Sequence, residues 1–84
     1  MEIIFLSPAW EDYLFLQRSD KKMLKRINDL IKQCQQTPFE GIAKPEPLKG
    51  SLSGWWSRRI DQKHRLVYRV KENSLYILQC RYHY

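Results

Sequence analysis

At 84 residues and 43% hydrophobic content, the chain has room for one small domain, 1–84, and is too apolar for wholesale disorder. A net charge of +6 points to a polyanionic partner, with nucleic acid ahead of a membrane surface. Two cysteines, Cys34 and Cys80, exclude a disulfide framework though not a single bridge. With His64 and His83 as the only histidines, neither a metal site nor any other cofactor is expected.

The opening MEIIFLSPAWED has too short an apolar run for a signal peptide, and no segment nears the roughly 20 apolar residues of a membrane span. A soluble, reduced, cytoplasmic protein with no membrane partner is expected. Residues 2–6 (EIIFL) are short, apolar and β-branched, which predicts a strand. Ser7 as N-cap and Pro8 at the first helical position then start a helix, in which Trp10, Tyr13, Leu14 and Gln17 fall at helical spacing to about Arg18. Ser19 and Asp20 break this pattern and offer a second cap. From Lys21 a clearer stripe of Met23, Ile27, Leu30, Ile31 and Cys34 predicts a second helix, ending near Gln36 because Thr37-Pro38 disfavours continuation. Lys21, Lys22, Lys25 and Arg26 lie off the stripe, where they suit a solvated face or contacts to RNA equally well.

Residues 37–54 hold three of the four prolines and all three glycines, so a long loop is expected. Three β-type runs follow at 55–60, 64–70 and 74–82, with turns at 61–63 and 71–73. The order is strand, helix, helix, loop, then a three-stranded antiparallel meander. This predicts an α+β fold with the helix pair on one face of a small sheet and the other face free.

Strand alternation puts Ser57 and Arg59 opposite Trp56, Arg58 and Ile60, and Arg65 with Val67 and Arg69 opposite Leu66, Tyr68 and Val70. In the last run, Leu75, Ile77, Gln79, Arg81 and His83 alternate with Tyr76, Leu78, Cys80, Tyr82 and Tyr84. One sheet face is then expected to gather Arg59, Arg65, Arg81 and His83. Trp10, Tyr13, Trp56 and Tyr68 are expected in the core, and His64 in a structural role. Mixed guanidinium and aromatic groups suit RNA, where cations meet phosphates and rings stack on unpaired bases. Basic residues on strands are also commonly just a solvated face, so the residues by themselves define a basic binding domain and no more.

Longer motifs say more. PFEG, KPEPLK, LSG-x-WSRRI, HRLVY and the closing HY, with AWEDYL and KRINDLIK earlier, run in order along essentially the whole chain. Together they closely resemble YoeB-type toxins of the RelE/ParE superfamily. Departures lie at Phe15-Leu16, Gly50-Ser51 and Trp55, none of them at the residues below.

The resemblance implies a RelE-like toxin that cleaves messenger RNA in the ribosomal A site without a metal. A cognate antitoxin would hold it inactive, and operator DNA would be bound only by the toxin–antitoxin complex. A homodimer is also implied. Carried onto this sequence, the family's general base is Glu46 and its general acid His83. Arg65 is its transition-state stabiliser, and Tyr84, Lys49 and Arg59 position the RNA. Lys44 and Arg81 are basic neighbours suited to the same strand. RNA brings its own nucleophile in the 2′-OH, so one base, one acid and one cation suffice. Two other readings stay open here: a ParE-like gyrase poison, which needs no acid–base pair, and a non-enzymatic basic subunit of a repressor complex.

Overall fold

In a computed structural model, which describes residues 1–82, the chain runs β1 (Glu2–Phe5), α1 (Ser7–Ser19), α2 (Lys21–Gln36), β2 (Glu46–Pro47), β3 (Trp56–Arg59), β4 (Arg65–Lys71) and β5 (Ser74–Gln79). The strands form one sheet in the order β1-β5-β4-β3-β2. The expected meander of β3, β4 and β5 is its centre. β1 adds parallel to β5 at one edge, and the two-residue β2 adds antiparallel to β3 at the other. The long loop thus contributes a strand that its prolines conceal. Pro47 lacks an N–H for a ladder, and an edge strand is where that is tolerated.

Both helices begin and end for local reasons. Asp20 caps α2 by accepting from the Met23 amide at 3.1 Å. Ser7 is already helical rather than the expected cap: Leu6 takes the cap position because its own amide is tied to Ile77 O in β5. The α2 stripe is as predicted, with Ile27, Leu30, Ile31 and Cys34 all buried. Fully burying each Ile or Leu contributes about 1.5–3 kcal/mol.

The buried edge of α1 differs from expectation. Ala9 and Leu16 are the residues it buries, while Trp10 stays 46% exposed. Ala9 lets the helix approach β5 closely enough for its carbonyl to face Cys80 Sγ at 3.7 Å. Trp10 packs on the outside, edge-on to Phe5 and stacked on Tyr13.

Glu72 and Asn73 form a two-residue hairpin loop with both φ positive, the geometry that matches strand twist. The last predicted run ends at Gln79 rather than Tyr82, and a bulge changes its phase. Tyr68 pairs with Ile77 but Val67 pairs with Gln79, so Leu78 is the extra residue. Leu75 and Ile77 face the helices, and after the bulge Cys80, rather than an odd-numbered residue, joins the core. Cys34 and Cys80 are both free thiols in that core.

Candidate active site

The sheet register assembles the helix-free face. Glu46 pairs with Ser57, Ser57 with Val67, and Arg59 with Arg65. Directly paired residues share a face, so Glu46, Arg59 and Arg65 all lie on the side opposite Arg58 and Tyr68. Glu46 stands level with Val67 two strands away, about 10 Å across the sheet, and Arg65 lies two positions along β4 from Val67. Glu46 and Arg59 are exposed and Arg65 is half-buried. Lys44 and Lys49 are exposed on either side of β2, so cations bracket the carboxylate along the chain.

The loop that presents Glu46 is held from below by Arg58, which has no exposed surface. Its Nε donates to Tyr68 Oη at 3.2 Å and its Nη1 to Ile42 O at 3.1 Å. Its Nη2 donates to Glu40 O at 2.9 Å and to Thr37 O. Tyr68 Oη in turn donates to Pro38 O at 2.5 Å. One guanidinium thereby fixes the path of residues 37–42. The chain then turns through Ala43 and Lys44, both at positive φ (65° and 51°), and Ala43 O accepts from Arg59 N at 2.8 Å. Left-handed backbone at two non-glycine residues costs on the order of 1 kcal/mol each, tolerated where the surroundings over-determine it.

Arg65 is held by the turn before it. Asp61 Oδ1 accepts from the amides of Lys63 (2.8 Å) and His64 (2.7 Å). The carbonyls of Asp61 and His64 then accept from Arg65 Nη1 at 2.7 and 3.0 Å. Nε and Nη2 meet no acceptor among the described residues, so the guanidinium is anchored at one corner and open at the others. Partial burial pushes the Asp61 carboxyl up. The His64 and Lys63 amides and the charges of His64 and Arg65 outweigh that and leave it below the usual carboxylate range.

The end of the described chain is tied to this turn. Tyr82 N donates to His64 Nδ1 at 2.6 Å, and Tyr82 O accepts from Arg65 N at 2.9 Å. Gln79 Nε2 donates to the carbonyls of Arg81 (3.1 Å) and Tyr82 (3.3 Å). Because its Nδ1 accepts, His64 carries its ring proton on Nε2 when neutral. The structural role expected for it is that of a clamp on residues 80–82.

Of the predicted site residues, Glu46, Arg59 and Arg65 share the helix-free face. Arg81 does not join that group: its guanidinium lies 3.7 Å from the centre of the Phe15 ring in α1 and 4.6 Å from that of Tyr82. Asp12, also on α1, accepts from Cys80 N at 3.4 Å. Burial raises the Asp12 carboxyl above its ordinary range, against the pull of that amide and of Arg81. The predicted acid His83 and positioning residue Tyr84 lie outside the described residues. Among the described residues, no three His, Cys, Asp or Glu side chains gather closely enough to hold a metal.

Sequence reasoning left Arg58 and Asp61 without roles. Arg58 had a signal: a cation on the apolar side of a strand, between Trp56 and Ile60, must find partners in the interior. Asp61 had only the general preference of aspartate for turns.

With the geometry in place, comparison with known proteins gives a definite result. Residues 5–84 match the family described as YoeB-like toxin of bacterial type II toxin-antitoxin system. The chain is 57% identical to Toxin YoeB of Escherichia coli (strain K12) over the full length of both. It superposes on the YoeB/ParE toxin from Agrobacterium tumefaciens with a TM-score of 0.97 at 50% identity, again over the full length of both. Staphylococcus aureus YoeB, solved as a dimer and in a heterotetrameric complex with YefM, is 49% identical, with a TM-score of 0.92 over 100% of this chain and 98% of that one.

These matches define the class as a toxin of a type II toxin–antitoxin system. Within that class, the chain belongs to the YoeB-like family.

Proposed function

We propose that this toxin is an endoribonuclease that cuts messenger RNA in the ribosomal A site by metal-independent acid–base chemistry. The observation that carries the reading is the placement of Glu46 and Arg65 on one helix-free sheet face, with Tyr82, the residue before His83 in sequence, bonded to Arg65 N. Glu46 takes the proton of a ribose 2′-OH, and the freed oxygen attacks the adjacent phosphorus. The bond from phosphorus to the 5′-oxygen breaks as His83 gives that oxygen a proton. The products are a 2′,3′-cyclic phosphate and a 5′-hydroxyl.

Arg65 meets the charge that develops on the phosphorus oxygens. Its anchored Nη1 supports this role, since a donor already oriented needs little reorganisation in the transition state. Lys49, Arg59, Lys44 and Tyr84 position the strand. The pairing of Arg81 with Phe15 suits holding the carboxy-terminal segment as well as touching RNA. The ribosome supplies much of the rate by holding the 2′-OH in line with the phosphate.

In this reading the toxin is cytoplasmic, forms a homodimer and is neutralised by an antitoxin, with which it represses its own operon. The Staphylococcus aureus relative, solved as a dimer and with YefM, supports such partners. No helix among the described residues is long and apolar enough to cross a membrane.

The test is cleavage of a defined message in programmed ribosomes by the native chain, Glu46→Gln and His83→Ala, with the cut ends mapped. A-site cuts ending in a cyclic phosphate, lost in both variants, are expected. Message left intact by the native chain, or cut equally by all three, refutes the reading.

A further inference from the structure

The helix-free face continues past Arg65 to a second basic feature that the chemistry above does not use. Arg69 and Lys71 follow Arg65 at alternate positions on β4, and Tyr76 of β5 is the direct cross-strand partner of Arg69. Together with Leu6 and Trp55 they line a cleft of about 220 Å³ whose walls contain no carboxylate. The Arg69 guanidinium lies 5.4 Å from the centre of the Trp55 ring. Gly54, whose backbone φ of +95° favours glycine, lies beside it, with room for an added Cβ at 3.4 Å from Arg69 Nη2. Arg69 Nε is shielded from solvent and meets no acceptor. Arg69 as a whole is half-buried and Lys71 exposed, so both cations can reach a ligand, and a shielded N–H without an acceptor is a donor that an anion can satisfy.

We propose that this cleft is a subsite for a nucleotide of the RNA strand beyond the scissile phosphate. A backbone phosphate bridges Arg69 and Lys71, and a base packs on Tyr76 and the free edge of Trp55. The subsite rests on the ribonuclease reading for its place on the strand. Arg69 lies four positions beyond Arg65 on β4, about 13 Å away, a distance that a short run of extended nucleotides spans. Two cations with two aromatic surfaces favour a nucleotide over an acidic peptide, because a peptide carboxylate would use the charges and leave the rings idle.

The experiment uses a 2′-O-methyl RNA oligonucleotide of about eight nucleotides, comparable to a single-strand site and lacking the attacking hydroxyl. Binding is followed by the indole N–H resonance of Trp55, assigned with Trp55→Phe, and by affinity across a salt series. The native chain should shift that resonance. Arg69→Gln/Lys71→Gln should bind about tenfold more weakly, with a salt slope shallower by about 0.7 for each phosphate that is no longer neutralised. Lys71 is exposed, so Lys71→Gln alone carries the test if the double variant melts early, and part of the same weakening is expected.

Unchanged affinity and slope in Lys71→Gln, or no binding by the native chain, overturns the subsite. So does equal displacement of the Trp55 resonance by a glutamate-rich peptide of matched charge, which would assign the cleft to an acidic protein partner. A chain that binds the oligonucleotide here yet leaves ribosomal message uncut fails the nuclease reading and not this one.

Discussion

Replacing Arg58 by methionine tests whether one buried cation holds the loop that presents Glu46. The substitution keeps most of the side-chain volume but removes every donor. Tyr68 Oη retains its bond to Pro38 O, while the carbonyls of Thr37, Glu40 and Ile42 lose theirs. A buried acceptor left unpaired costs about 1–3 kcal/mol, and the low end applies because this loop lies at the surface and water can reach part of it. Three such carbonyls come to about 3 kcal/mol. Removing the desolvated charge returns some of that, so a net loss of about 2–3 kcal/mol is expected. For a domain of this size each kcal/mol moves the melting point by roughly 4–8 °C, so Tm should fall by about 8–24 °C. Urea unfolding gives the stability directly, and amide exchange across residues 37–46 shows whether the loop loosens ahead of the sheet. Cleavage activity measured well below the new melting point should fall as well. A variant within about 0.5 kcal/mol of the native chain, with unchanged exchange in the loop, refutes the anchoring role, since surface substitutions alone fall in that range.

Three further outcomes are expected. His64→Ala removes the acceptor for Tyr82 N, so it should cost about 1 kcal/mol of stability but more than about tenfold in cleavage; His64→Asn, which restores a nearby acceptor, should recover part of the activity, and a variant that loses stability and activity in proportion contradicts the clamp. The Asp61 carboxyl, held below its ordinary range, contributes stability that is present above the unfolded value of about 3.9 and is lost as pH falls through the lower folded value. NMR titration should therefore find its midpoint below about 3.9, and Asp61→Ala should be destabilised at pH 6 yet converge on the native chain in acid. Burial pushes the Cys34 thiol up to about 11 and the Cys80 thiol up to about 12, so neither should react with a thiol reagent at pH 8 until the protein unfolds; fast labelling of the native protein would contradict the packing of both.

The sequence by itself determined the helices, the meander and the family. Asp20 caps, the stripe from Met23 to Cys34 and the turn residues before Ser74 act within a few positions of one another, so their consequences are readable from spacing. Alternation also suggested that Arg59 and Arg65 share a face, while their direct pairing was decided by the register of the folded sheet. Tertiary structure alone decided the rest. That β1 lies parallel to β5, and that Glu46 becomes an edge strand against Ser57, depends on contacts between distant segments. The side of α1 that is buried was set by how closely Ala9 lets the helix approach β5, and not by which residues are largest.

The bulge at Leu78 had no local signature either. One extra residue inverts the alternation of everything after it, so the face assigned to a side chain past that point cannot be obtained by counting. Arg58 shows the same division. Its inward direction was legible from strand parity, but its partners lie in a loop that only the folded chain brings beneath it.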